Sequence, residues 1–277
     1  MIKSQMRFPG FKDKAVTLSY DDGPAQDKRL VQIMHKNGLK GTFNVNSGLL
    51  PQESGWHLTG AELFDLYTGS GMEVAVHGQV HLSLTNVDSA VAVNDVLQDR
   101  LALEKLFGYI VKGMAYANGL YDDNVVDILK MCGIEYARTV NSTESFEIPN
   151  DWLRLNPTCH HKNPKLMDLV KTFLEIKPDP LRVQKYTPKL FYLWGHSYEF
   201  DNDNNWNVIE EFAEAIGNRE DIWYATNGEI YAYVKAFDSL RWAADGKMVH
   251  NPSGVDVCIF CNKKEYLVKS GATIKID

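Results

Sequence analysis

A chain of 277 residues, 44% hydrophobic and 23% charged, can bury a large core, either as one α/β barrel or as two smaller domains. Its net charge of −7, with no basic run to offset it, argues against nucleic acid or an anionic membrane surface as a partner and favours neutral or cationic substrates. No apolar leader core follows Met1, and no stretch is long enough to span a bilayer, so the expected location is cytoplasmic with no membrane insertion.

In chain order, strand-like and helix-like segments alternate. Residues 15–20 are β-rich, and residues 25–36 carry Leu30, Ile33 and Met34 at helical spacing. A second strand over 41–46 and a helix over 59–67 follow, then a third strand over 72–77. A long helix is expected over 89–107, with Val93, Val96, Leu97, Leu101 and Leu106 as its apolar stripe. Further strands are expected over 113–117, 135–140, 152–156, 190–194 and 222–225, with helices over 122–131, 164–174, 205–216 and 227–234.

Alternation on this scale predicts a parallel sheet, and seven or eight units predict a distorted (β/α) barrel over residues 1–239. From about Leu240 the helices stop. The turn signals Asp245-Gly246 and 251–254 separate short strands, so residues 240–277 read as a small C-terminal β appendage. Cys258 and Cys261 lie in a strand-like run, where residues three apart face opposite ways. With Cys132 and Cys159 they read as buried, reduced thiols rather than a metal or redox site.

Three short motifs carry the chemistry, each where a strand ends. Tyr20-Asp21-Asp22-Gly23-Pro24 is a turn by composition. It also places two adjacent carboxylates at the mouth of a barrel strand, where such folds keep their reactive groups. His77 and His81 share a face if a helical turn begins at Gly78, and two histidines with one aspartate leave a divalent metal an open position for water. His196, after the apolar run 190–195, has an ordinary pKa near neutrality and suits general-acid work. Alone, each is as well explained by a turn, a solvated pair or a capping histidine. Their combination is what points to hydrolysis.

In this order the motifs resemble those of the polysaccharide deacetylases, the NodB homology domain of carbohydrate esterase family 4, over about residues 14–237. The resemblance implies Asp21 as base, Asp22, His77 and His81 as ligands of one divalent metal (Zn2+ first, with Co2+, Ni2+, Mn2+ or Fe2+ as alternatives), and His196 as acid. It implies an N-acetylated sugar or oligosaccharide as substrate and acetate as product. A small non-sugar amide substrate and a non-catalytic carbohydrate-binding relative are the competing readings.

The third family motif departs here. Its arginine, which braces the base, falls at Ala115, and its oxyanion-binding N–H falls at Asn118, with Tyr116 as a substrate contact. Arg138, at the mouth end of the next strand, is the expected substitute for the brace. The fourth motif has only a partial counterpart, in which Asp151 would orient His196 and Trp152 would wall the acetyl pocket. His160, after the strand expected over 152–156, and Trp206, at a helix start, are further substrate-binding candidates. Oligomeric state is not legible.

Overall fold

The computed structural model describes residues 4–53, 55–177 and 187–277. A short strand, β1 (Gln5–Arg7), precedes β2 (Lys14–Asp21), α1 (Asp27–Lys36), β3 (Gly41–Val45), α2 (Gly60–Tyr67) and β4 (Glu73–Val76). Then come α3 (Ser89–Phe107), β5 (Gly113–Ala115), α4 (Asp123–Met131), β6 (Tyr136–Arg138), β7 (Cys159–His160), α5 (Leu166–Glu175) and β8 (Lys189–Gly195). The barrel segment ends with α6 (Tyr198–Asn202), α7 (Asn207–Ile216), β9 (Ile222–Tyr224) and α8 (Asn227–Asp238).

The strands run parallel in the order β6-β5-β4-β3-β2-β8-β7. β2 is the axis. β8 flanks one edge along Lys14–Tyr20, while β3 takes the upper part of the other edge and β9 the lower part. Every residue of β2 is buried, as expected for a strand covered on both faces. Leu155 bridges to Arg138 of β6, and the Thr158 N–H donates to the Tyr192 carbonyl of β8 at 2.8 Å. Residues 155–160 therefore span the two edges and curl the sheet into a distorted (β/α) barrel.

Two elements differ from expectation. Residues 152–156 do not form a strand. Trp152–Arg154 is a 3-10 turn, because the Asp151 carboxylate accepts from the Leu153 N–H and so caps it. The buried line of α3 is Ala92, Asp95, Val96, Asp99 and Leu103, whereas Leu101 is exposed. The helix is rotated so that two carboxylates, not two leucines, meet the loops at the mouth.

After Leu240 the chain forms β10 (Arg241–Trp242), β11 (Met248–His250), β12 (Val257–Cys261), β13 (Lys264–Val268) and β14 (Thr273–Lys275). They make two antiparallel sheets, β10-β11-β14 and β1-β12-β13, so the second takes a strand from the opposite end of the chain. All four cysteines are buried, free thiols. Among the described residues, no helix is long and apolar enough to cross a membrane.

Candidate active site

β2 delivers Asp21 and Asp22 to the C-terminal mouth of the barrel. The chain then turns through two consecutive left-handed residues, Asp22 (φ 77°) and Gly23 (φ 64°). Aspartate tolerates this region better than most residues, and glycine enters it freely. The Asp22 N–H donates to the Asn44 carbonyl at 2.9 Å, so the turn is tied to β3.

The end of β4 presents His77. No helical turn follows; Gly78 (φ 81°) and His81 (φ 58°) are left-handed, and the loop folds back on itself. The two rings still converge, with centroids 4.9 Å apart. A side chain at position 78 would meet the Asp95 carboxylate at 2.6 Å, so glycine is required there on two counts. His77 Nδ1 lies 2.9 Å from the Ala115 carbonyl. A carbonyl only accepts, so Nδ1 carries the proton and Nε2 offers its lone pair inward. His77 Nε2 is 3.4 Å and His81 Nε2 3.6 Å from Asp22 Oδ1. The ligand atoms of Asp22, His77 and His81 lie within 4.8 Å of one another, and a carboxylate with two imidazoles fits a divalent cation that keeps an open position.

Two buried residues of α3, absent from the sequence reading, hold this loop. Asp99 accepts from the His77 N–H at 3.0 Å and the Ser47 N–H at 2.7 Å, and Asp95 accepts from the Val80 N–H at 3.2 Å. Burial pushes Asp99 up to about 6 against these hydrogen bonds. Asn46 adds two donations, to the His77 and Gly78 carbonyls, each at 2.7 Å.

Asp21 is met from the other side. β5 and β6 pair in parallel with Ala115 opposite Arg138, so Arg138 occupies the neighbouring place on the next strand. Its guanidinium donates to Asp21 Oδ2 and lies 4.4 Å from the centre of the Trp194 ring. Asn44 Nδ2 donates to Asp21 Oδ1 at 2.8 Å. Burial alone would raise the Asp21 pKa, but Arg138, then His77 and His196, outweigh it and hold the carboxyl below its ordinary value. Asp22 is likewise lowered against burial, chiefly by His77.

His196 stands at the end of β8, its Nε2 3.8 Å from Asp21 Oδ2 and its Nδ1 3.2 Å from Glu199 Oε2. The same Glu199 oxygen lies 3.1 Å from His160 Nε2 and 3.3 Å from His161 Nε2, and Lys162 Nζ is 3.0 Å from Oε1. Burial would raise Glu199, but His160 and His196 together with Lys162 pull it far below the usual carboxylate range. His196 is raised despite its burial, chiefly by its hydrogen bond to Glu199. His161 packs so closely that a Cβ on Gly195 would sit 2.0 Å from its Nδ1, which accounts for the glycine before His196. The ligand atoms of His160, His196 and Glu199 also lie within 4.8 Å of one another, but Lys162 already supplies that carboxylate with a positive charge.

The mouth thus gathers Asp21, Asp22, His77, His81, Arg138, His160 and His196. His160 lies in β7 itself rather than following a strand over 152–156. Asn118 sits with φ 57° on the turn after β5 and donates its side chain to Ser83 Oγ.

Four other candidates go elsewhere. Asp151 pairs with Arg154 at 2.8 Å and caps its own turn, so Glu199, three residues after His196, holds the imidazole in its place. Tyr116 is buried, with its hydroxyl donating to the Leu153 carbonyl at 2.6 Å. Trp152 packs edge-on against Tyr231. Trp206 lies under the Arg29 guanidinium, 4.2 Å from its ring centre, and donates to Asp201 at 2.7 Å. These last three rings are largely buried in packing.

Residues 9–137 match the family model for polysaccharide deacetylase. Among solved structures, a protein from Mycobacterium smegmatis described as a polysaccharide deacetylase is 16% identical over 86% of this chain and 96% of its own, with a TM-score of 0.61. A family 4 carbohydrate esterase from Streptomyces lividans, solved in complex with acetate, is 15% identical over 76% of this chain and 92% of its own, with a TM-score of 0.51. Both share the fold. The Streptococcus pyogenes deacetylase PplD is 24% identical over 50% of this chain, at a TM-score of 0.47, and the match spans 61% of that protein's length. No curated protein matches the chain.

Proposed function

We propose that this chain, whose residues 9–137 match the polysaccharide deacetylase model, hydrolyses the N-acetyl group of a sugar within an acetylated glycan, with a divalent cation held by Asp22, His77 and His81. The observation that carries the reading is the placement of Asp21 and His196 beside that ligand set, each held by its own oppositely charged partner. When bound, the cation, zinc first by its donor set, supplies acidification of the attacking water and polarisation of the acetyl carbonyl.

The chain's own residues do the rest. Asp21, kept ionised by Arg138, accepts the proton of the attacking water. The backbone N–H of Asn118 donates to the developing oxyanion, a contact whose loss typically costs about a hundredfold or more in rate. His196 directs Nδ1–H to Glu199 and gives its Nε2 proton to the leaving nitrogen, which departs as a neutral amine rather than an anion. Acetate and an amino sugar result.

Elemental analysis of wild type and His77→Ala, paired with acetate release from N-acetylglucosamine oligosaccharides, tests this reading. We expect about one metal per chain in wild type, lost together with turnover in the variant. A wild type that takes up neither zinc nor cobalt and releases no acetate overturns it.

A further inference from the structure

One carboxylate oxygen, Glu199 Oε2, is crowded by three imidazoles. His160 Nε2 stands 3.1 Å from it, His196 Nδ1 3.2 Å and His161 Nε2 3.3 Å. His161 is buried, and neither of its ring nitrogens has a hydrogen-bond partner. A carboxylate oxygen accepts about two good hydrogen bonds, so the cluster holds more ring nitrogens than proton sharing can use. Imidazoles gathered on a carboxylate are also how proteins hold divalent transition metals.

The spacing fits that second use. Nitrogen and oxygen ligands about 2.0–2.2 Å from a tetrahedral zinc stand roughly 3.3–3.6 Å from one another. In the set proposed for the first cation, His77 and His81 lie 3.4 and 3.6 Å from Asp22 Oδ1. His160 and His196 approach Glu199 at least as closely, and the three ligand atoms lie within 4.8 Å of one another. All three residues are partly exposed, so a cation can reach them from solvent. Lys162 does not fill the place, because its Nζ meets the other oxygen, Oε1, and also Asp203 Oδ2 at 2.7 Å.

We propose that His160, His196 and Glu199 form a second, weaker divalent-cation site that silences the enzyme when metal is in excess. Binding there takes the Nδ1 lone pair of His196, and the proton held on that nitrogen passes to solvent. Nε2 still faces Asp21 at 3.8 Å, so the position of the acid is unchanged. Its strength is not. An imidazolium gives up a proton near neutrality, whereas a neutral, metal-bound imidazole holds its N–H far more tightly. Two costs keep the affinity low. The Lys162 charge stands close by, and the 3.1 Å hydrogen bond that His160 Nδ1 accepts from the Lys162 N–H must open so that the ring can shift its proton there. The site is independent of the deacetylase reading, and only its effect on turnover rests on it.

Equilibrium dialysis against excess zinc, read by elemental analysis, counts the sites. Wild type should hold about two zinc ions per chain, and His160→Gln about one. Glu199→Gln removes a different ligand and should give the same count as His160→Gln. His77→Ala, without the first site, should still take up about one ion from excess zinc, and His77→Ala/His160→Gln none. Lys162→Met should bind the second ion about fivefold more tightly, the scale of one exposed charge. Acetate release by wild type should rise up to one equivalent of zinc and then fall about a hundredfold, the scale of a lost general acid. Scored against its own rate at one equivalent, His160→Gln should show no such fall.

A second ion absent from wild type, or kept in a folded His160→Gln, overturns the site. Two bound ions with undiminished turnover overturn the silencing. If wild type releases no acetate at any zinc concentration, the deacetylase reading fails and the silencing falls with it, while the zinc counts alone decide the site.

Discussion

The two flanks of the mouth are held by different kinds of bond. On the β3–β4 flank, His77 and the loop to His81 are fixed by backbone groups. Asp99 and Asp95 of α3 accept from main-chain N–H groups, and Asn46 donates to main-chain carbonyls. On the β6–β8 flank, the bonds run between ionisable side chains, Arg138 to Asp21 and Glu199 to His196, His160, His161 and Lys162. Main-chain donors cannot titrate, so on the first flank only the accepting carboxylates respond to pH, with Asp99 raised to about 6. The second flank changes with every proton it gains or loses. That division suits the proposed reaction, in which one side would hold a cation and the other would move protons.

The sharpest way to break the contrast is Arg138→Met. It leaves Asp21 buried and unpaired, which costs about 3–5 kcal/mol of stability by the usual scale for a broken buried pair. Urea unfolding of Arg138→Met and of the double variant Arg138→Met/Asp21→Asn measures it, and the double variant should recover a large part of the loss. If the single variant is as stable as wild type, the second flank does not depend on that pair.

A smaller effect is expected for Glu199→Gln. An amide can no longer balance the charge on His196 or fix which nitrogen carries the proton, so kcat should fall about a hundredfold with little change in KM. Asp151→Asn is the comparator and should stay within about twofold, because exposed sites like this one rarely matter by more than a fraction of a kcal/mol. Equal effects of the two variants would return the orienting role to Asp151.

The smallest effect concerns Asp27, which underlies both flanks. It sits at the start of α1 and accepts from Tyr67 at 2.8 Å and from Ser197, the residue after His196, at 2.6 Å. Burial raises it to about 7 despite these two hydrogen bonds. The folded state therefore binds a proton that an unfolded aspartate has released. The associated stability is fully present below pH about 4 and is lost as pH rises through about 7. Asp27→Asn removes this dependence. Its Tm should gain on wild type by about 3 °C or more between pH 5 and pH 8, measured by calorimetry. A Tm difference that does not vary with pH contradicts the assignment.

Much of this arrangement was legible because barrel strands hand their last residues to one mouth. Once residues 15–20, 72–77 and 190–195 read as parallel strands, Asp21, Asp22, His77 and His196 had to meet. Arg138 was legible on the same logic, since a neighbouring strand in register places it opposite Ala115.

What stayed hidden depends on rotation rather than on order along the chain. Asp95 and Asp99 face inward because α3 turns its carboxylates to unpaired loop amides, and apolar periodicity favoured Leu101 instead. Glu199 lies in a five-residue helix, α6, too short to show a periodic face. Asp151 was the more visible carboxylate only because it stands before a tryptophan. Likewise Trp206 and Trp56 look alike in sequence, and only packing shows which ring has been covered.

The pairing of β1 with β12 bears on how the chain is made. Gln5–Arg7 is synthesised before its strand partner, Val257–Cys261, which follows some 250 residues later. At ordinary elongation rates of about 5–20 residues per second, that is a wait of roughly ten to fifty seconds. The Tyr233 hydroxyl donates to the Arg7 carbonyl at 2.6 Å and accepts from the Cys258 N–H at 2.8 Å, so α8 can hold the first strand before the last one arrives to lock it. The barrel can thus close during synthesis, whereas the β1-β12-β13 sheet beside it forms only after residues 257–268 have emerged.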